Sequence, residues 1–391
     1  MKILFISNFL NHHQKPVADH LFNEFGDDYR FVSLEPMPDR FKSFGYPDYE
    51  AITYNELYYK DEETKNIVRE QVLTFDVVII GGFYYAYNEL IDLRLSTKKL
   101  LLLYAERFYK NISMYFKWPL HWLNGHNQQL FTRFNGTNTY MLCSGAYVAK
   151  DCHLNFSFKN RTFKWGYFPK FEQRDIELIC RKKKSKKILD IIWVARFIDW
   201  KHPENAIKAV LALKKANIPF KLNLFGGVDN SDMTSLKTFE SCKEIVRKYH
   251  LEKDVIFAGN LPNAQLMLEF EKADVFLFTS DRHEGWGVVL NEAMSMGCCC
   301  IGANMIGAVP YLIQDGKNGL IYKNNNISDL QQKLLYVALN PELRMKLSKN
   351  AYLTIRDIWH PSICADSLVE LSKNLLTNQQ INKQEGPCSY A

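Results

Sequence analysis

Glu284 and Glu292 stand eight residues apart, with Gly285, Trp286 and Gly287 between them. Carboxylates suit vicinal hydroxyls because each accepts two hydrogen bonds, and ribose and hexoses both offer such pairs. Upstream, Arg196 and Lys201 lie in Ala195-Arg-Phe-Ile-Asp-Trp-Lys-His-Pro203. Two cations at that spacing could neutralise a diphosphate. Gly226 and Gly227 form a smaller group that allows close backbone approach to a ligand.

These residues need elements to hold them. Asp274 to Ser280 reads as a strand, 281–287 as the loop at its carboxyl end, and Val288 to Met296 as a helix closed by Gly297. A glycine-containing turn opening a helix offers backbone N–H groups and the positive end of a dipole to a phosphate. The run Ile188 to Val194 reads as another strand, with a helix opening at Pro203, a good first-turn residue. Arg196 and Lys201 therefore share the carboxyl-end face with Glu284. Further strands are expected at Lys221–Phe225, Val255–Ala258 and Cys298–Ile301.

The first half alternates in the same way, with strands at Lys2–Phe9, Phe75–Ile80 (closed by Gly81 and Gly82), Leu100–Tyr104 and Thr139–Cys143. The expected class is α/β with two doubly wound, Rossmann-like domains facing across a cleft that holds the ligand. The boundaries are an N-terminal domain over 1–170, a basic linker over 171–187 and a C-terminal domain over 188–355. A helix over 356–376 crosses back to the first domain, and 377–391 is a flexible tail.

Length and composition agree with this division. The 391 residues are 47% hydrophobic and 24% charged, typical of a soluble two-domain chain. No run approaches the roughly 20 apolar residues of a membrane-spanning helix, and no signal-peptide pattern opens the chain. Nine cysteines without metal-ligand spacing suit reduced thiols in a cytoplasm. The net charge is +6, and the stretch 107–170 holds nine Lys or Arg against one acid, Asp151, with aromatics interleaved. Such a stretch suits the surface of an anionic membrane.

Taken together, Arg196, Lys201, Gly259-Asn260-Leu261-Pro262, Ala273-Asp-Val, Glu284-Gly-Trp-Gly287 and Glu292-Ala-Met, extended by Gly316-Lys-Asn-Gly319-Leu, resemble the retaining glycosyltransferases of family GT4, which have the GT-B fold. The resemblance covers most of the second domain. It implies a UDP- or GDP-sugar donor, no cofactor and no metal, with Arg196 and Lys201 on the diphosphate. Glu284 would contact the transferred sugar and Glu292 the ribose, with backbone near Leu261 at the base. The donor side would also include Gly226, Gly227, Asn260, Gly285, Trp286, Gly287 and Val288. His202 departs from the glycine that often follows the lysine, and Tyr311 from a frequent Glu.

The first domain resembles the family less. Its Asn11-His-His13-Gln14 loop and Tyr104-Ala-Glu106-Arg107 look like a subgroup associated with bacterial surface polysaccharides. Glu106 would orient an acceptor hydroxyl or take its proton, and His13 and Arg107 would serve the acceptor or donor side. A glycan or lipid-linked oligosaccharide acceptor at the inner face of the cell membrane is then expected. An epimerase or phosphorylase on the same fold is the alternative. A basic nucleic-acid binder lacks any recognised module, and an NAD-linked oxidoreductase lacks Gly-x-Gly-x-x-Gly after its first strand.

Overall fold

The first unit holds seven parallel strands, of which Ile3–Ser7, Val77–Gly81 and Leu100–Ala105 are buried throughout. They are β1 (Ile3–Ser7), β2 (Tyr29–Ser33), β3 (Asn55–Leu57), β4 (Val77–Gly81), β5 (Leu100–Ala105), β6 (Thr139–Ser144) and β7 (Thr162–Trp165), arranged 3-2-1-4-5-6-7. The computed structural model describes residues 1–39, 47–81, 88–123, 125 and 131–391; Gly82, read above as closing a strand, lies outside them. This sheet belongs to a unit made of Met1–Lys170 and Ile358–Ala391.

The second unit, Phe171–Asp357, repeats the plan. Its strands are β8 (Leu189–Val194), β9 (Phe220–Phe225), β10 (Val255–Gly259), β11 (Val275–Phe278), β12 (Cys299–Ala303) and β13 (Leu320–Tyr322), arranged 10-9-8-11-12-13 and all parallel. Strand order reverses between β8 and β11, which is where open α/β sheets leave a crevice at their carboxyl ends. Cys298, Cys299 and Cys300 are fully buried, as a strand inside a two-faced sheet requires.

Two boundary expectations change. The stretch 171–187 is not a linker. It contains the helix Ile176–Lys184, capped by Asp175, whose carboxylate accepts from Leu178 N–H at 3.0 Å. Ile176, Ile179 and Cys180 pack against Tyr352, and Lys183 donates to the Gly297 carbonyl at 2.7 Å. Arg181, Lys182 and Lys184 form the solvated face of an amphipathic helix that belongs to the second unit.

The tail over 377–391 is not loose at its end. Cys388 N–H donates to Lys164 at 2.8 Å, Lys164 N–H to Ser389 at 2.7 Å, and Ala391 N–H to Thr162 at 3.1 Å. Phe163 and Tyr390 pair antiparallel, so the chain end covers the free edge of β7. The helix Pro361–Leu376 lies in the first unit, where Asp366 meets His20 at 2.9 Å.

Candidate active site

At the carboxyl end of β8 the chain bends at Ala195 and again at Phe197. The neighbouring strand permits this only because residue 226 is glycine: a Cβ there would sit 1.7 Å from the Ala195 carbonyl oxygen. Phe197 N–H then donates to the Gly227 carbonyl at 3.1 Å, fixing the β8 loop to the β9 loop. Arg196 is exposed at this edge, while Lys201 is largely enclosed.

Lys201 is held from both sides. Thr279 Oγ1 donates to its carbonyl at 2.8 Å, and Trp193 Nε1 donates to Thr279 Oγ1 at 2.8 Å. Its ammonium pairs with Glu284, and the two side chains are 13% and 12% exposed. Their mutual attraction offsets the desolvation cost that each buried charge meets.

Gly287 allows that arrangement. It has φ +92°, and a Cβ there would meet the Phe278 ring at 2.4 Å and Glu284 Cγ at 3.1 Å. Trp286 is fully buried, with Nε1 donating to Asn291 at 2.9 Å. The Glu284 and Trp286 carbonyls accept from Gly307 and Ala308 N–H. The following helix runs from Val289 to Ser295, starting one residue after Val288, and Gly297 (φ +67°) ends it.

Glu292 is 7% exposed. Its carboxylate accepts from Asn263 Nδ2 at 2.9 Å. Burial raises its pKa to about 7, and the amide hydrogen bond only partly offsets that. Asn263 opens the helix after Asn260 and Leu261, so this contact joins the β10 loop to the Glu292 helix. Asn260 is exposed and Leu261 half-buried.

Sequence reasoning missed Asn263, and also a second link. His202 adopts the left-handed conformation (φ 49°) at the start of the helix Pro203–Ala209. Its Nε2 meets Asp281 at 3.2 Å and its Nδ1 meets Glu204 at 3.0 Å. Burial lowers the imidazole pKa, but the two carboxylates outweigh it and hold the group at about 9. Asp281 is raised by burial yet falls to about 2 under the hydrogen bonds from His202 and His283. The visible signal was a histidine in a place where glycine is frequent.

Residues 175–354 match the family described as Glycosyl transferases group 1. The second unit belongs to that family. The chain is 27% identical over 168 residues, 43% of its length, to the poly(glycerol-phosphate) alpha-glucosyltransferase of Bacillus subtilis (strain 168), covering 23% of that protein. It is 30% identical over 118 residues, 30% of this chain, to the lipopolysaccharide 1,6-galactosyltransferase of Escherichia coli (strain K12), covering 30% of it. The chain thus spans under half the length of the curated relatives it matches. Over 96% of its length it is similar to all of Anabaena HepE, solved in complex with UDP, with TM-score 0.69 and 15% identity. That likeness shows the fold, GT-B, with two parallel-sheet α/β domains.

Outside the group 1 domain, the first unit gathers the other expected residues at the carboxyl end of its own sheet. Tyr104 crosses over Gly81, where a Cβ would lie 2.5 Å from the ring, to bond Ser7 Oγ at 2.8 Å. Gln14 Nε2 joins both hydroxyls. Beside them is a pocket of about 200 Å³ lined by Asn8, Asn11, His12, His13, Met37 and Tyr167, among others. His13 stacks on Tyr167 at 4.2 Å, and its buried Nδ1 has no hydrogen-bond partner among the described residues. Burial and the neighbouring His12 hold His13 well below the usual imidazole pKa, so it is neutral.

Glu106 accepts from Tyr167 Oη at 2.8 Å and Lys110 Nζ at 3.2 Å. Arg107 departs from its expected place. It is 3% exposed, with its guanidinium 4.4 Å over the Tyr147 ring, and it does not line the pocket. Its charge favours the ionised form of buried Asp151, against the burial that raises that carboxyl's pKa.

Proposed function

We propose that the chain is a retaining glycosyltransferase, which moves a sugar from a UDP- or GDP-sugar to a hydroxyl of a glycan or lipid-linked oligosaccharide at the inner face of the cell membrane. The carrying observation is the pair of buried carboxylates in the loop and helix that follow β11. Glu284 is neutralised by Lys201, whereas Glu292 meets a neutral amide. The first suits a sugar hydroxyl beside a phosphate; the second suits the ribose diol. The activities that the bacterial relatives are named for and the UDP in HepE support this reading.

In the proposed reaction the C1–O bond to the diphosphate breaks, and a new bond forms from C1 to the acceptor oxygen on the same face. The acceptor proton passes to the leaving diphosphate. Arg196 and Lys201 stabilise the charge that gathers there, a role filled elsewhere by a divalent cation. Gly226, Gly227 and the 285–288 turn let backbone approach the phosphates, and backbone near Leu261 meets the base. In the first unit, Glu106 and His13 serve the acceptor.

The test is a thermal-shift panel of UDP-, GDP-, ADP- and TDP-sugars on the purified chain. One stabilising donor, with nucleoside diphosphate released only when an acceptor is present, is the expected result. Release without acceptor, or stabilisation by none of the panel, overturns the reading.

A further inference from the structure

The helix Ile112–Leu123 carries apolar side chains on two faces. Inward, Tyr115 donates to Asp151 at 2.6 Å, and Trp118 Nε1 donates to Asn155 at 3.2 Å. Trp118 and Trp122 also pack on Phe156 at 6.1 and 5.1 Å. This face docks the helix on the helix Val148–Leu154 and the residue following it.

Outward, Phe116, Leu120 and Leu123 lie at i, i+4 and i+7 and are 81%, 61% and 78% exposed. Phe156, beside the tryptophans, is 63% exposed. An ordinary surface helix carries polar residues there, so a row of large apolar groups marks a surface that meets something.

The charge around it identifies that something. In 107–170 the sole acid, Asp151, is fully buried and bound to Tyr115 and to the N–H groups of Phe108 and Tyr109. Lys117 on the helix, and Lys150 and Lys159 from the same segment, are exposed. The segment therefore shows solvent positive charge and apolar side chains but no carboxylate. A protein partner of mixed charge would not require this; an anionic lipid surface does, since clustered cations with aromatic and aliphatic groups suit the headgroup boundary.

We infer that the outer face of the helix Ile112–Leu123 lies in the interface of an anionic bilayer, with Phe116, Leu120 and Leu123 among the acyl chains and Lys117 at the phosphates. This deepens the membrane part of the proposed function and stands apart from the transfer reaction.

The probe is co-sedimentation of the full chain with vesicles of phosphatidylglycerol and phosphatidylethanolamine, against vesicles of phosphatidylcholine alone. Binding to the anionic vesicles is expected, weakened by high salt. The triple variant Phe116→Ser, Leu120→Ser, Leu123→Ser should lose about tenfold or more in partition, and Lys117→Glu should show a smaller loss. All these side chains are exposed, so the melting temperature and the shift produced by a nucleotide-sugar should stay as in the parent. Failure of the parent to bind, or equal binding by the triple variant, overturns the inference. So does a change in oligomeric state by the triple variant without a change in vesicle binding, which would assign the face to a second copy of the chain.

Discussion

His202 and Asp281 face one another at 3.2 Å, although 79 residues separate them in the chain. The first lies directly after Lys201 and the second three residues before Glu284, so their contact aligns the ion pair of the site. His202 contributes fully below its ordinary pKa of 6.5 and loses its contribution as pH rises through about 9. Asp281 contributes fully above 3.8 and loses it as pH falls through about 2. The window of full effect is thus about pH 4 to 6.5. The stability gap between the parent and His202→Gly, from urea midpoints, should be wide at pH 6 and narrow by pH 9.5. His202→Ala should fall about 1 kcal/mol below His202→Gly, because only glycine takes the left-handed backbone freely.

Glu284→Ala removes the proposed sugar contact and also strands the Lys201 ammonium. Transfer should vanish, and stability should drop by about 3 kcal/mol or more, the cost of breaking a buried pair. The double variant with Lys201→Met should regain most of that stability without regaining turnover. Near-normal turnover in Glu284→Ala, measured as nucleoside diphosphate release, would remove the residue from the site.

Glu292 carries the opposite pH sign from an ordinary paired carboxylate. Its folded pKa, about 7, exceeds the ordinary 4.5, so the folded state holds the extra proton and stability falls as pH rises between those values. Glu292→Gln should match the parent near pH 4.5 and exceed it by about 3 kcal/mol above pH 8. Its affinity for free nucleoside diphosphate should fall. Calorimetric unfolding across pH, with titration of UDP and GDP, checks both.

Arg196 is exposed and packs little, so Arg196→Ala should keep the parent melting temperature while weakening nucleoside diphosphate binding about tenfold or more, as expected for a lost charge-assisted contact. Turnover should survive EDTA, since the two cations supply the neutralising charge. Unchanged calorimetric affinity in the variant, or restoration of EDTA-treated enzyme only by a divalent ion, contradicts the assignment.

Removing residues 386–391 uncovers the β7 edge and the sites of buried Cys388 and Ser389. Each lost backbone hydrogen bond is worth about 1 kcal/mol, and an open edge invites pairing between chains. The truncated protein should melt lower and scatter light in a concentration-dependent way. A parent-like melting curve would show that the pairing contributes nothing.

Much of this was readable in advance. Continuous apolar runs such as Val77–Ile80 announce strands buried on two faces, because nothing polar can interrupt them. Glu284 and Glu292 announced themselves through the Gly-x-Gly turn, a backbone requirement that shows directly as residue type. The helix Ile176–Lys184 hid because Arg181, Lys182 and Lys184 dominate its composition, while Ile176, Ile179 and Cys180 form the face that matters. The chain end hid for another reason. Its residues pair through backbone N–H and C=O groups, which every residue carries and no composition betrays. Arg107 was read from its place in Tyr104-Ala-Glu106-Arg107, and its burial over Tyr147 could not be read there, because Tyr147 and Asp151 are remote in sequence.

The first unit is discontinuous: 1–170 is completed by 358–391, with the whole second unit intervening. During synthesis, therefore, the seven-stranded sheet must wait with its β7 edge uncovered while more than half the chain is made, whereas the second unit has every residue it needs as soon as Asp357 is clear. The domain proposed to hold the donor can mature first, and the other is sealed last.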